Sequence, residues 1–188
     1  IERIAREEGF DRIGVSPPTI ANESLEFYQK WLKVGFHADM AYMESHLPLK
    51  GDLEKLLPGV NSVIAFSLPY FQESPRPDSE GKIARYALGR YYNKVSRKKL
   101  SSVVQVLEIE YTNSQNRICV DSAPTLDRVL AHQAGLGWFG KNTLLINSQT
   151  GSYFFIGLIL TTLALEPTRP SLGGCGTCHK CVEACPTG

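Results

Sequence analysis

Four cysteines near one end of the chain, Cys175, Cys178, Cys181 and Cys185, followed at once by Pro186, constrain this sequence more than any other feature. Their spacing is C-x2-C-x2-C-x3-C-P. Thiolates two and three residues apart can converge on one cubane of iron and sulfide without long loops, and the proline then turns the chain away. The competing readings are a zinc knuckle and a pair of disulfides. Zinc sites usually present two separated C-x-x-C pairs, or mix Cys with His, and four cysteines in eleven residues before a proline fit that poorly. The spacing therefore predicts iron–sulfur ligation. In the two-cluster version of this run, Cys175, Cys178 and Cys181 hold one [4Fe–4S] cluster and Cys185 reaches a second. The second cluster needs three more thiolates, and only Cys119 remains upstream. The ligand count, with an opening residue Ile1 rather than Met, predicts that residues 1–188 are a piece of a longer protein.

The rest of the chain suits one core domain, residues 1–165, with residues 166–188 beginning a second. Hydrophobic residues make up 43% of the chain, enough for a sizeable core. The net charge of +1 does not by itself predict nucleic-acid binding. The longest apolar run, residues 153–163, is too short to span a bilayer. Clustered reduced cysteines point to a cytoplasmic protein. Apolar spacing predicts helices over residues 1–8, 22–32, 53–57, 93–111 and 124–134, the last with Pro124 near its first turn. Strands are expected at 62–68, 117–120, 143–147 and 153–163, the last two joined as a hairpin through Gln149-Thr150-Gly151. Residues 72–81 read as a loop and 166–174 as a linker. Helices mixed with an antiparallel pair favour an α+β fold over a doubly wound sheet.

Several motifs invite chemistry. Gly135-Leu-Gly137-Trp-Phe-Gly140 spells G-x-G-x-x-G, but a helix precedes it, a strand follows it, and position 160 is Leu160 rather than an acid. It fails the dinucleotide context, and its glycines are expected to shape a turn at a close backbone approach. Asp121 follows a strand and precedes Ser122-Ala123-Pro124. It is either a capping carboxylate or a proton donor at a strand end. His132, His37 and His46 lack a partner pattern, His179 belongs at the surface beside the cysteines, and Cys119 reads as a buried apolar thiol. Arg85, Arg90, Lys94, Arg97, Lys98 and Lys99, interleaved with Tyr86, Tyr91 and Tyr92, form either a solvated basic face or a phosphate-contacting strip for RNA with tyrosines for stacking.

Four motifs coincide in order and spacing: Arg85-Tyr-Ala-Leu-Gly-Arg90, Val120-Asp-Ser-Ala-Pro124, Gly137-Trp-Phe-Gly-Lys-Asn142, and the cysteine run ending Pro186-Thr-Gly. Together they resemble epoxyqueuosine reductase over nearly the whole chain. The resemblance implies an α+β, nitroreductase-like cobalamin-binding core followed by the start of a ferredoxin-like module with two [4Fe–4S] clusters. It implies an oxidoreductase that reduces epoxyqueuosine to queuosine in the tRNA anticodon loop, the last step of queuosine synthesis, working as a cytoplasmic monomer with an external electron donor. Asp121 aligns with the family's proton donor. Glu44, Ala84, Leu145, Ile156 and Ile159 align with stretches that hold cobalamin largely through backbone. One departure stands out: the family commonly reads Asp-Tyr-His where this chain has Tyr91-Tyr92-Asn93. A reductive dehalogenase would share the cofactors but act on halogenated organics, and a plain electron-transfer protein would need neither Asp121 nor a cobalamin pocket.

Overall fold

A computed structural model describes residues 1–73, 81 and 83–187. The expected loop at 72–81 lies mostly outside the described residues. The elements in order are α1 (Glu2–Glu7), β1 (Arg12–Ser16), α2 (Asn22–Lys33), α3 (Ala41–Ser45), α4 (Leu47–Lys50), a 3-10 turn (Leu53–Lys55), β2 (Ser62–Pro69), a second 3-10 turn (Arg85–Ala87), α5 (Tyr92–Glu110), β3 (Asn116–Cys119), α6 (Asp127–Gln133), β4 (Trp138–Phe139), β5 (Leu145–Ile146), β6 (Phe154–Thr161) and α7 (Lys180–Glu183).

The main sheet has the order β1-β2-β6-β3, and every neighbouring pair is antiparallel. β2 and β6 lie in its centre, so both faces must be covered. Side chains alternate between faces along a strand, and β2 divides accordingly. Val63 and Ala65 face a core with Leu158, Leu160, Cys119, α6 residues Leu130, Ala131 and Ala134, and Leu53, Leu56 and Leu57. Ile64 and Phe66 face the other core with Ile159, Val120, Ala5 of α1, and Leu100, Val103 and Leu107 of α5. The result is a three-layer arrangement with α1 and α5 on one side of the sheet and α6 on the other. The α+β expectation holds at this level, and Cys119 is fully buried as expected.

Two expectations change. The turn at Gln149-Thr150-Gly151 forms, closed by an antiparallel bridge between Asn147 and Gly151, but the strands on either side of it do not pair as a hairpin. β5 pairs with β4, at Trp138↔Ile146 and Phe139↔Leu145, and β6 is captured instead by β2 and β3. The reason is steric: a Cβ on Gly137 would stand 2.2 Å from the Ile146 carbonyl oxygen, so only glycine lets these backbones meet. Helix α6 starts at Asp127, not Pro124, because residues 121–126 form consecutive turns with Thr125 N–H donating to Ala123 O at 2.8 Å.

Residues 166–174 are no loose linker. Thr168 Oγ1 donates to Ala134 O at 2.8 Å and accepts from Val15 N–H at 2.7 Å, while Thr168 N–H donates to Val15 O at 2.9 Å. A Cβ on Gly14 would sit 1.9 Å from Ala134 O, so β1, the end of α6 and this segment close on one another there.

Candidate active site

An open cavity of about 800 Å³ lies beside the sheet at the β6 end where Phe154, Phe155 and Ile156 emerge. Its walls come from distant pieces of chain: Tyr28 and Trp31 of α2, Lys50 at the end of α4, Tyr92 at the start of α5, residues 125–129, and Phe139-Gly140. Aromatic packing defines the floor. Tyr92 stacks on Phe155 with ring centroids 4.3 Å apart and planes 7° from parallel.

Asp121 stands at the edge of this cavity, exposed, two residues past the end of β3. Its φ is +46°, in the left-handed region that costs an L-residue roughly 1–2 kcal/mol. The capping reading fails, since the residue before α6 is Leu126 and no side chain caps that helix. The carboxylate is held from the α5 side. Asn93 Nδ2 donates to Asp121 Oδ2 at 3.3 Å and to Tyr91 Oη at 2.8 Å. The Tyr92 phenol is pushed well above the usual tyrosine range, by burial first and then by its hydrogen bond to Asp121 and that group's charge. Tyr92 therefore remains a neutral donor to the carboxylate. Where the family's usual pattern has His, Asn93 offers a donor that does not titrate.

A second carboxylate, missed in the sequence, lies behind the Asp121 turn. Asp127 accepts from the Thr125 hydroxyl and from the Asp121 backbone N–H. Burial pushes its carboxyl up to about 6; Asp121 adds to the rise, and Thr125 and Lys50 oppose it. Lys50 is buried, donates to Thr125 O at 3.0 Å and sits 5.4 Å from the Tyr28 ring centre. Burial pulls the Lys50 ammonium below its ordinary range, and Asp127 partly offsets this. A buried cation and a half-buried carboxylate thus pin both ends of residues 121–125. The only local signal was a lysine inside the apolar stretch Leu47-Pro-Leu-Lys50, where solvation of a charge is poor.

The other sequence-derived positions separate. Ile156 lines the cavity. Glu44 is exposed on α3, and Ala84 is exposed just before the 3-10 turn Arg85–Ala87. Leu145 is buried in the core beside Phe154. Ile159 packs in the α1/α5 core, fully buried on the far face of the sheet, so its side chain does not reach the cavity. His132 is structural: its Nδ1 meets Gly137 O at 2.8 Å and its ring lies against Phe139. Arg85 lies over the Phe71 ring and donates to Gln72 O. Lys99 ties α5 to Glu8, the residue that ends α1, which takes it out of any basic strip, while Arg90, Lys94, Arg97 and Lys98 are exposed.

Cys175 and Cys178 flank a turn closed by Cys178 N–H to Cys175 O at 2.9 Å, Cys181 lies on α7, and Cys185 Sγ is 3.3 Å from Thr187 Oγ1. Among the described residues, no three Cys, His, Asp or Glu side chains stand drawn together as a ready metal site. The donor chemistry still fits a cluster. Cys175, Cys178 and Cys181 are free thiols on a turn and a short helix, Cys175 is pulled toward its thiolate, and the buried indole N–H of Trp138, which makes no hydrogen bond of ordinary geometry, is directed at it. For cobalamin, the open, aromatic-walled cavity with a carboxylate at its edge is a fitting cradle. Among the described residues, no helix is long and apolar enough to cross a membrane.

The family model described as "Epoxyqueuosine reductase QueG, DUF1730" matches residues 50–122. An epoxyqueuosine reductase of Prochlorococcus marinus is 42% identical over 193 residues, covering 100% of this chain and 60% of its own length. That of Pseudomonas aeruginosa is 37% identical, covering 97% of this chain and 52% of its own. The chain thus spans about 60% of the length of such relatives. Among solved structures, an epoxyqueuosine reductase with an epoxyqueuosine-modified tRNA-Tyr stem loop superposes with a TM-score of 0.86 at 26% identity, over 99% of this chain and 51% of that one. The Bacillus subtilis enzyme, with an aspartate catalytic loop swung out of its active site, gives 0.84 at 25% identity, over 99% and 51%. A B12-dependent reductive dehalogenase shares the fold alone, at 0.56 and 16%. From end to end, then, this chain is similar in sequence and in fold to the epoxyqueuosine reductases, the family that its four motifs resemble.

Proposed function

We propose that this chain is the catalytic part of an epoxyqueuosine reductase, acting on the anticodon loop of tRNA. The observation that carries the reading is Asp121, held in a left-handed turn at the edge of the cavity by Asn93, Tyr92 and Asp127. Removing the oxygen of an epoxide takes two electrons and two protons, leaves a carbon–carbon double bond and releases water. Cobalamin, bound in the aromatic-walled cavity, would supply the reducing cobalt centre for this chemistry, fed by [4Fe–4S] clusters on Cys175, Cys178, Cys181 and Cys185. Residues 166–188 then begin a ferredoxin-like module docked onto the core at residues 1–165. The protein's own tasks are to orient the substrate, exclude water and deliver a proton.

Asp121 is suited to the proton. Its Oδ2 faces the Asn93 amide, and the turn that carries it is fixed from behind by Lys50 and Asp127. Tyr92, kept neutral, and Asn93 both donate to it, so they set the direction of the carboxyl without competing for its proton. Exposed Lys94, Arg97 and Lys98 on α5, whose first residue Tyr92 lines the cavity, with Tyr86 and Tyr91 packed against Tyr92, offer a surface suited to an RNA backbone.

Asp121→Asn keeps size and hydrogen bonding but cannot give a proton. General acid catalysis is typically worth about 10²–10⁴-fold, and single-turnover reduction of an epoxyqueuosine stem-loop by pre-reduced enzyme should slow by that much at unchanged cobalamin content. A rate near that of the wild type would end the assignment.

A further inference from the structure

The cavity and the cysteine segment meet across one two-residue strand. Successive residues of a strand face opposite sides, and β4 uses both. Phe139 lines the cavity. Trp138 turns away from it and packs its ring on the chain leading to the cysteines: a Cβ on Gly173 would stand 1.8 Å from Trp138 Cε3 and 2.6 Å from Cδ2. Nothing larger than glycine could lie there. Lys141 holds the same segment just beyond, its Nζ donating to Gly176 O at 3.0 Å. The Cys175 turn is therefore clamped between an indole and a lysine that flank Phe139-Gly140 of the cavity wall.

The indole N–H is the unexplained group. Trp138 Nε1 is buried and makes no full hydrogen bond. A buried donor left without an acceptor costs about 1–3 kcal/mol, and a buried indole normally finds a partner. Its neighbour is the Cys175 sulfur. Two donors of the chain, the Lys141 backbone N–H and the Trp138 indole N–H, are directed at that sulfur. A thiol is a poor acceptor, whereas a metal-bound thiolate carries the charge that would satisfy both.

We propose that Trp138 is a positioning residue for the iron–sulfur cluster held by Cys175, its indole N–H hydrogen-bonding the ligating sulfur while Phe139, next in the strand, faces the cavity. This rests on the reading that Cys175 ligates a cluster. Hydrogen bonds to cluster sulfurs are one of the protein's main controls on cluster potential. Reduction by one electron adds one negative charge to the cluster, so a donor aimed at its sulfur stabilises the reduced form and raises the potential. The same clamp fixes the cluster at a constant distance from the cavity wall.

The test uses the whole protein reconstituted with iron and sulfide, titrated with redox mediators and followed by electron paramagnetic resonance. Trp138→Phe keeps an aromatic ring against Gly173 and removes the N–H. The midpoint of one cluster should move to a more negative potential while the other stays, with iron and sulfide content near wild type. Both midpoints unchanged would overturn the proposal. Should Trp138→Phe fail to take up iron, β-(3-benzothienyl)alanine at position 138 preserves the indole shape with sulfur in place of N–H, and the same negative shift, or its absence, decides the matter. A wild-type protein that assembles no [4Fe–4S] cluster would instead sink the underlying ligand reading.

Discussion

Asp127 turns the site's architecture into a measurable pH dependence. Its carboxyl rises from 3.8 to about 6 in the folded protein, chiefly through burial. In that state the folded protein keeps a proton that the unfolded chain releases between these two values. Stability therefore falls as pH rises through this window, and is flat below and above it with respect to this group. The loss is about 3 kcal/mol at ~1.4 kcal/mol for each tenfold change in proton affinity. Asp127→Asn cannot ionise, yet its amide oxygen can still accept from the Thr125 hydroxyl and the Asp121 N–H. The variant should match the wild type most closely near pH 4 and gain on it by up to about 3 kcal/mol at pH 7. Urea unfolding of both apo proteins at unit pH steps from 4 to 8 gives the difference, and only its slope matters, so a constant offset from the altered neighbour of Lys50 does not enter. A difference that does not change with pH would refute the raised carboxyl and with it the picture of Asp127 as a desolvated anchor of the Asp121 turn.

Two further outcomes follow from named contacts. Reversing Lys94, Arg97 and Lys98 to Glu should weaken binding of a tRNA stem-loop and flatten the dependence of log affinity on log salt by roughly three at about one unit per phosphate contact, as read by fluorescence anisotropy; unchanged slope would make this an ordinary solvated helix face. Asn93→His places a titrating ring beside Asp121, and the imidazolium would hold that carboxyl deprotonated, so the rate should gain a new fall below about pH 6.5; a pH–rate profile identical to wild type would remove position 93 from the proton path.

What could be read from the sequence follows the physics of range. β2 was legible because Val63, Ile64, Ala65 and Phe66 are apolar on both faces, as a central strand must be. α5 was legible because Leu100, Val103 and Leu107 recur at helical spacing and are indeed buried. Asp121 was legible as a motif residue. Its backbone was not: the run Ser122-Ala123-Pro124 has the composition of a first helical turn but forms turns ahead of α6, so the sequence leaves the capping and proton-donor readings of Asp121 both open. The missing hairpin has the same origin. Local alternation announced β5 and β6, but their partners were decided by Gly137 allowing β4 to reach Ile146, and by β6 fitting between β2 and β3.

The parts that stayed hidden are those joined over long separations. Thr168 is a single unremarked threonine, yet it ties Val15, 153 residues away, to Ala134 and so docks the cysteine segment. Lys50 reaches Thr125 across 75 residues. Neither has a periodicity or spacing that a linear pattern could register, because the meaning of each lies in its burial and its partner. This explains why chemistry and positioning were unequally visible. A proton donor or a metal ligand must be of one residue type at one place, and such places cluster into motifs. The groups that hold a turn need only supply a charge or a donor at the right point in space, from wherever the chain happens to pass. Lys50, Asp127 and Trp138 are of this second kind, and they connect the two motifs, Val120-Asp-Ser-Ala-Pro124 and the cysteine run, to the wall of one cavity.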